Sequence, residues 1–192
     1  MKGIIFNLLE EVVTSEYGDA TWDGLLEQAG LDGAYTSLGS YGDEQAVALV
    51  DVAATTLGIS PQDVLRWFGM RAMPLLAVRF PSFFAPHSSA RSFLLTLNNI
   101  IHPEVRKLYP GAATPVFSFE HEPDGSLLVR YNSARRLCAL AEGFIHGAAA
   151  FYHERVEIRQ PHCMHDGALE CVFNVKFYSD AHADSFPAAS RA

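Results

Sequence analysis

The sequence has little positive charge and no run of basic residues. It contains 14 lysines and arginines against 22 aspartates and glutamates, which gives a formal net charge of −8 at pH 7. Proteins that bind nucleic acid or anionic membrane surfaces use clustered basic groups to neutralise phosphate charge. We therefore expect no nucleic acid and no membrane among the partners of this chain.

Long apolar runs are also absent. No stretch reaches the roughly 18 consecutive apolar residues that a membrane-spanning helix needs. The opening segment MKGIIFNLLEEVV is interrupted by Asn7, Glu10 and Glu11, and no small-residue cleavage site follows it. A signal peptide is therefore not predicted, and the expected location is the cytoplasm.

The common catalytic motifs are missing too. The sequence has no Gly-rich phosphate loop, no HExxH pair and no Ser/His/Asp order that would fit one sheet. The acidic pairs Glu10-Glu11 and Asp43-Glu44 are interpreted as solvated helix faces. An enzyme is therefore not predicted.

Apolar residues, in contrast, are plentiful, and in the first half of the chain they recur at helical spacing. Hydrophobic residues make up 49% of the sequence and aromatic residues 11%, which is enough for one sizeable core. Ser60-Pro61 is a typical helix start, and Tyr109-Pro110-Gly111 is a typical stop. The predicted helices cover residues 3–13, a segment that begins near Thr21 and Asp23, and residues 44–57, 61–79 and 89–109.

The second half changes character, because strand-like segments flank the hairpin-turn sequence EPDGS. The predicted elements there are strands over 115–121 and 126–132, a helix over 134–152, and strands over 154–160 and 169–178. This order predicts an α+β fold, in which an N-terminal helical layer is followed by a four-stranded antiparallel sheet with one crossing helix. Residues 1–178 are predicted to form a single domain, and the small, polar tail over 179–192 is predicted to be disordered.

One histidine lies inside the predicted helix over 89–109. His102 has Asn98 and Asn99 one turn before it and Val105 one turn after it, on an otherwise apolar segment. A neutral imidazole in such a place can hold a metal ion. A hydrogen-bonded core histidine is the alternative, and the residue alone leaves both open.

The segment YNSAR places three hydrogen-bond donors at alternate positions. In an extended strand, Tyr131, Ser133 and Arg135 point to the same side. Such a set suits a pair of carboxylates, because arginine can hold a carboxylate through two parallel hydrogen bonds. The alternative is a solvated strand end whose tyrosine packs in the core.

Together, the histidine and the strand end resemble the haem-nitric oxide/oxygen-binding (H-NOX) family, which is related to the sensor domain of soluble guanylate cyclase. The resemblance covers about residues 1–178. Its motifs occur in the family order: the opening MKG, FPSFF, HPEVRKLYPGAATP, YNSARR and the helix EGFIHGAA. It implies a bacterial stand-alone member that holds haem b between the helical layer and the sheet.

The resemblance also implies roles for individual residues. His102 would be the proximal ligand of the haem iron, and Pro115 would press on the macrocycle. Tyr131, Ser133 and Arg135 would bind the haem propionates. A single neutral imidazole leaves the sixth position of the iron open for a gas. The predicted wall of the pocket further comprises Ile5, Leu9, Ala72, Met73, Leu76, Leu140 and Phe144.

The predicted wall indicates which gas binds. In the oxygen-binding members of the family, a tyrosine on the helix after the YNSAR motif donates a hydrogen bond to dioxygen, and its position here is Leu140. No other predicted wall residue can donate, and His146 is not expected to reach the iron. The resemblance therefore implies a sensor that binds nitric oxide and carbon monoxide and discriminates against oxygen. Ordinary core packing is the alternative for these residues if haem is absent.

Cysteines are few, and their odd number makes a poor disulfide framework. The three are Cys138, Cys163 and Cys171. Zinc sites use sets of four Cys and His ligands, and some bacterial H-NOX proteins carry three cysteines and one histidine, but Gln160 stands here in the place of that histidine. His162 or His165 could supply a fourth zinc ligand. The alternatives are a redox-sensing thiol group that forms a Cys163–Cys171 disulfide, and buried cysteines without a ligand.

The sequence has no output module of its own. The resemblance therefore implies a separate partner protein, such as a histidine kinase or a cyclic-di-GMP enzyme. The signal would be rupture of the bond between His102 and iron, followed by movement of the helix over 89–109. Two rivals are a thiol or zinc regulator based on the cysteine cluster, and a haem peroxidase, which the missing distal acid–base group disfavours.

Overall fold

A computed structural model describes residues 1–179, which fold into a helical N-terminal half and a C-terminal half built on a sheet. The helices are α1 (Gly3–Tyr17), α2 (Asp19–Ala29), α3 (Asp43–Leu57), α4 (Pro61–Arg79), α5 (Pro81–Phe84), α6 (Ala90–Leu94), α7 (His102–Leu108) and α8 (Cys138–Phe151). The strands are β1 (Val116–His121), β2 (Leu127–Asn132), β3 (Glu154–His162) and β4 (Cys171–Ser179). The predicted α+β class is confirmed.

The four strands form one antiparallel sheet in the order β1-β2-β4-β3. The turn between β1 and β2 is the predicted EPDGS hairpin, in which Asp124 accepts a hydrogen bond from the Ser126 N–H at 3.0 Å and Gly125 has a φ of 83°. A φ of this sign favours glycine. In this register Phe117 lies opposite Tyr131, and Tyr131 lies opposite Cys171.

The crossing helix α8 connects the two halves through a close contact with α4. A Cβ atom on Gly143 would lie 2.3 Å from the carbonyl oxygen of Arg66, and one on Gly69 would lie 2.6 Å from that of Leu140. Only glycine permits two helix backbones to approach this closely. The ion pair between Arg66 and Glu142, at 2.7 Å, lies at the same crossing.

The helix start predicted at Ser60-Pro61 is present at the first residue of α4. The Ser60 hydroxyl accepts a hydrogen bond from the Asp63 N–H at 3.1 Å, and Pro61 stands at the first helical position. The helix ends at Arg79, as predicted. A local capping signal therefore determines the start of this element.

The prediction of a single helix over residues 89–109 is wrong. The segment consists of α6, a π-helical turn over Leu97–Ile101, and α7. Pro103 has no N–H, and in a regular helix its ring would clash with the carbonyl of Asn99. In the wider π turn the Ile101 N–H bonds to the Thr96 carbonyl, five residues back, at 3.1 Å.

Other predicted boundaries also differ from the structure; for example, α1 extends to Tyr17 instead of residue 13. The crossing helix begins at Cys138 instead of residue 134, because the chain turns before it and Arg136 has a φ of 51°. The predicted disordered tail lies outside the described residues, except for Ser179, which ends β4. Within residues 1–179, every helix is too short or too polar to cross a membrane.

Candidate functional site

A cavity of about 360 Å³ lies between the helical half and the sheet. This volume falls within the range of small-molecule and cofactor sites. Side chains from α1, α4, α8, β1 and β2 line it, together with the segment from α6 to α7. The predicted wall residues found there are Ile5, Met73, Leu76, Leu140 and Phe144.

Two predicted wall residues, Leu9 and Ala72, do not line the cavity. Both are buried in the separate core of the N-terminal helices, where they pack with Phe6 and Leu49. In α1 the residues that line the cavity are Ile4, Ile5 and Leu8. Leu9 follows Leu8 by one position, which turns it about 100° around the helix.

Several aromatic wall residues were missed by the sequence analysis. The cavity is also lined by Phe80, Phe83, Phe84, Phe93, Phe117 and Phe119. The first three belong to the FPSFF segment, which was quoted only as a family motif. Its density of aromatic residues just before the histidine-bearing segment is the signal that could have identified them.

His102 lines the cavity at the first residue of α7, directly after the π turn. Burial lowers the pKa of its imidazole to about 4, and the positive charge of Arg106 acts in the same direction, whereas the backbone of Pro115 has a weaker opposite effect. The ring is therefore neutral at neutral pH. Its Nδ1 is buried and has no hydrogen-bond partner within residues 1–179.

Tyr131, Ser133 and Arg135 all line the cavity. Strand β2 ends at Asn132, so the extended geometry predicted for the YNSAR segment stops before Ser133, although all three side chains still reach one side. Tyr131 is 2% exposed, and burial raises the pKa of its hydroxyl. Three donors therefore meet at one wall of an apolar space.

The guanidinium of Arg135 is held by groups outside the YNSAR segment. Its Nε donates to Asp43 at 2.8 Å, and its Nη1 donates to the Ala113 carbonyl at 2.7 Å. Asp43 also accepts from the amino group of Met1 at 2.6 Å. Partial burial acts to raise the pKa of Asp43, but these two donors outweigh it and the pKa is lowered. The side chain of Asp43 is thus partly solvent-exposed, as expected, and in addition pairs with two cationic groups.

These residues fit a flat, amphipathic cofactor that carries a metal ion and carboxylates. A neutral imidazole with an unpaired nitrogen suits an iron ligand. The donor set around Arg135 suits carboxylates, and the aromatic walls suit an apolar ring. The fold and the cavity together define a domain suited to binding a haem-like cofactor.

The family follows from comparison with known proteins. A family model described as "Haem-NO-binding" matches residues 2–160. The chain belongs to this family, whose members are called H-NOX proteins.

Solved H-NOX structures resemble this chain over almost its whole length. An H-NOX protein from S. oneidensis, solved in the Fe(II)NO ligation state, is 34% identical with a TM-score of 0.87, covering 93% of this chain and 100% of that chain. The Fe(II) unliganded protein from K. algicida is 27% identical with a TM-score of 0.83, covering 95% and 99%. The IWP-051-bound protein from Shewanella woodyi, in the Fe(II)CO state, is 28% identical with a TM-score of 0.78, covering 100% of both chains.

The three cysteines form a cluster next to the YNSAR segment. The sulfur of Cys163 lies 3.8 Å from that of Cys138 and 3.9 Å from that of Cys171. All three sulfurs are within 4.8 Å of one another, a spacing at which they could share a metal ion. Burial raises the pKa of the Cys138 thiol to about 12.

Neither histidine proposed as a fourth ligand joins this cluster. His165 is exposed and its Nε2 lies 2.8 Å from the carbonyl oxygen of Arg136, while His162 is exposed on β3. The side chain of Gln160 lies nearer, because it acts to lower the pKa of the Cys138 thiol. Its Nε2 is buried without a hydrogen-bond partner among the described residues. A closed tetrahedral set of Cys and His ligands is therefore not present in residues 1–179.

Proposed function

We propose that this protein is a haem-based sensor that binds nitric oxide and carbon monoxide, discriminates against oxygen and signals to a separate protein, without catalytic activity of its own. The observation that carries the proposal is the neutral imidazole of His102, whose Nδ1 has no hydrogen-bond partner within residues 1–179, at the wall of an apolar cavity that the three YNSAR donors also line. The relative from Shewanella oneidensis, solved in Fe(II)NO and Fe(II)CO ligation states, supports the choice of gases.

Each residue has a distinct task in this proposal. His102 is the axial iron ligand, and its low pKa keeps the nitrogen lone pair available. Tyr131, Ser133 and Arg135 bind the propionates. Asp43 orients the guanidinium of Arg135 by accepting a hydrogen bond from the Nε of that group. Pro115 lines the same cavity and would pack against the macrocycle.

Discrimination against oxygen follows from the walls contributed by α1, α4 and α8. The cavity-lining residues of these helices are Ile4, Ile5, Leu8, Met73, Leu76, Leu140, Ala141, Phe144 and Ile145. None of these side chains can donate a hydrogen bond. A bound dioxygen would therefore lack the stabilisation that a distal donor provides, whereas nitric oxide does not require it.

The signal begins at His102. His102 would hold the haem, which would supply the ferrous iron that binds nitric oxide, and we expect this binding to release His102. Release of His102 frees α7, which contains no fully buried residue and so has little packing to hold it in place. A partner protein would recognise the new position of α7. We propose that this partner is a histidine kinase or a cyclic-di-GMP enzyme.

The test is an absorption spectrum of the purified ferrous protein without oxygen, taken before and after addition of nitric oxide. A Soret band that moves to the position of five-coordinate nitrosyl haem, with no stable oxygen complex in a second portion exposed to air, is the expected result. The matched variant His102→Gly should take up haem weakly unless free imidazole is supplied. Absence of a Soret band after haem supply would refute the proposal.

A second candidate function is a thiol or zinc sensor, and the compact cluster of three cysteine sulfurs favours it. Zinc bound there would need a fourth ligand other than His162 or His165, because neither joins the cluster. Comparison of His102→Gly with Cys138→Ala decides between the candidates. A signalling response that survives the first substitution and is abolished by the second would make the cluster the sensor.

A further inference from the structure

The segment that carries His102 has little structural support of its own. The π turn over Leu97–Ile101 is a conformation that proteins use only in short stretches. Pro103 cannot donate a backbone hydrogen bond to this turn. Helix α7 follows immediately and contains no fully buried residue. The position of His102 therefore depends on contacts from outside the segment.

Asn98 provides such a contact. Its Nδ2 donates to the carbonyl of Phe117, and its Oδ1 accepts from the Phe117 N–H at 3.2 Å. Phe117 lies on β1, which is an edge strand, so these backbone groups face the open side of the sheet. The amide of Asn98 thus takes the place of a neighbouring strand.

Phe117, which Asn98 holds, lies beside both His102 and Tyr131. The ring of Phe117 lies 5.9 Å from the ring of His102, at an interplanar angle of 35°. It also lies 5.5 Å from the ring of Tyr131, edge to face. Fixing the backbone of Phe117 against the π turn therefore fixes the distance between His102 and the sheet.

We propose that Asn98 is a positioning residue for His102, acting as a two-point clamp that ties the π turn to β1 and resists movement of α7. This proposal rests on the proposed role of His102 as an iron ligand. Two hydrogen bonds from one amide to one residue set an orientation as well as a distance. The strength of this clamp then determines how readily His102 moves away from the cavity.

The test compares Asn98→Ala with Asn99→Ala. Asn99 is the neighbouring exposed residue on the same turn, and within residues 1–179 its side chain has no hydrogen bond. Amide hydrogen exchange is measured on the full chain as purified, at Phe117 and over residues 102–108. A hydrogen bond contributes about 1 kcal/mol, so loss of two should speed local exchange roughly 10- to 30-fold. Equal exchange in the two variants would overturn the proposal.

In Asn98→Asp, a change of pH should alter the hydrogen bonds of the clamp while the protein stays folded. A protonated carboxyl has one donor and one acceptor, like the amide, whereas the ionised form can only accept. The ionised form keeps the bond from the Phe117 N–H but loses the bond to the Phe117 carbonyl and is repelled by it. Protection over residues 102–108, relative to Asn99→Asp at each pH, should therefore be close to that of the unmodified protein at low pH and fall as the carboxyl ionises. A ratio that does not change with pH would contradict the clamp.

The third readout is the iron–histidine stretching band in the Raman spectrum of the ferrous, haem-loaded protein. Asn98→Ala should shift or broaden this band, and Asn99→Ala should leave it unchanged. No shift in Asn98→Ala would count against the proposal. If the protein takes up no haem, the sensor function fails, but the exchange experiments still decide whether Asn98 clamps the segment.

Discussion

Replacing Gly143 with alanine should force the two halves of the protein apart. The new Cβ would lie 2.3 Å from the carbonyl oxygen of Arg66 and 2.9 Å from its Cα. Ordinary contacts begin at about 3.4 Å, so α8 and α4 must separate by about 1 Å. Overpacking costs about 1–3 kcal/mol, and the upper part of this range, about 2–3 kcal/mol, applies here because the clash is with backbone atoms and not with a flexible side chain. The better helix propensity of alanine offsets about 1 kcal/mol of it. The expected net loss is about 1–2 kcal/mol.

The assay is thermal unfolding, with Gly24→Ala as the matched control. Gly24 lies inside α2, and nothing within 4 Å would meet its Cβ. The control should be slightly more stable than the parent protein, because only helix propensity changes. For a chain of this size, 1 kcal/mol corresponds to a Tm shift of about 2–4 °C, so Gly143→Ala should lower the Tm by about 2–8 °C. Equal or higher stability in Gly143→Ala would refute the argument that backbone proximity requires glycine there.

Three further predictions concern the cavity and its surroundings. Leu140→Tyr should raise oxygen affinity about tenfold or more in the haem-loaded protein, by supplying a hydrogen-bond donor; an unchanged oxygen titration would show that residue 140 does not face the gas. Asp43→Asn should reduce stability by less than about 1 kcal/mol, because the carboxylate is 46% exposed. Since the pKa of Asp43 is lowered, the difference from the parent should be full near neutral pH and vanish as pH falls below about 4 in urea titrations. Cys138, whose pKa is raised to about 12, should alkylate far more slowly at pH 8 than a free thiol, and rapid alkylation in the metal-free protein would contradict its burial.

The fold was predictable from the sequence where local signals suffice. The start of α4 follows from Ser60 and Pro61, and the β1–β2 hairpin follows from the EPDGS turn. The break before His102 was not predicted, because the apolar spacing continues through the π turn. The effect of Pro103 there depends on a carbonyl four residues earlier, which a pattern of apolar residues does not reveal.

The candidate site was predictable in its types of residue but not in its contacts. Periodicity identifies α1 as apolar, but it does not tell whether Leu8 or Leu9 faces the cavity. The pairing of Asp43 with Arg135 spans 92 residues of sequence, so no local motif indicates it. Likewise, the distance of His165 from the cysteine sulfurs depends on where the turn after β3 directs its ring.

Helix α8 contributes residues both to the cysteine cluster and to the wall of the cavity. Its first residue, Cys138, lies in the sulfur cluster, and Leu140 and Phe144 further along line the cavity. A disulfide between Cys138 and Cys163 would need their sulfurs, now 3.8 Å apart, to approach to about 2.05 Å. A displacement of the backbone at Cys138 would be carried along this one helix to Leu140 and Phe144. A single helix therefore connects the sulfur cluster to the wall of the cavity.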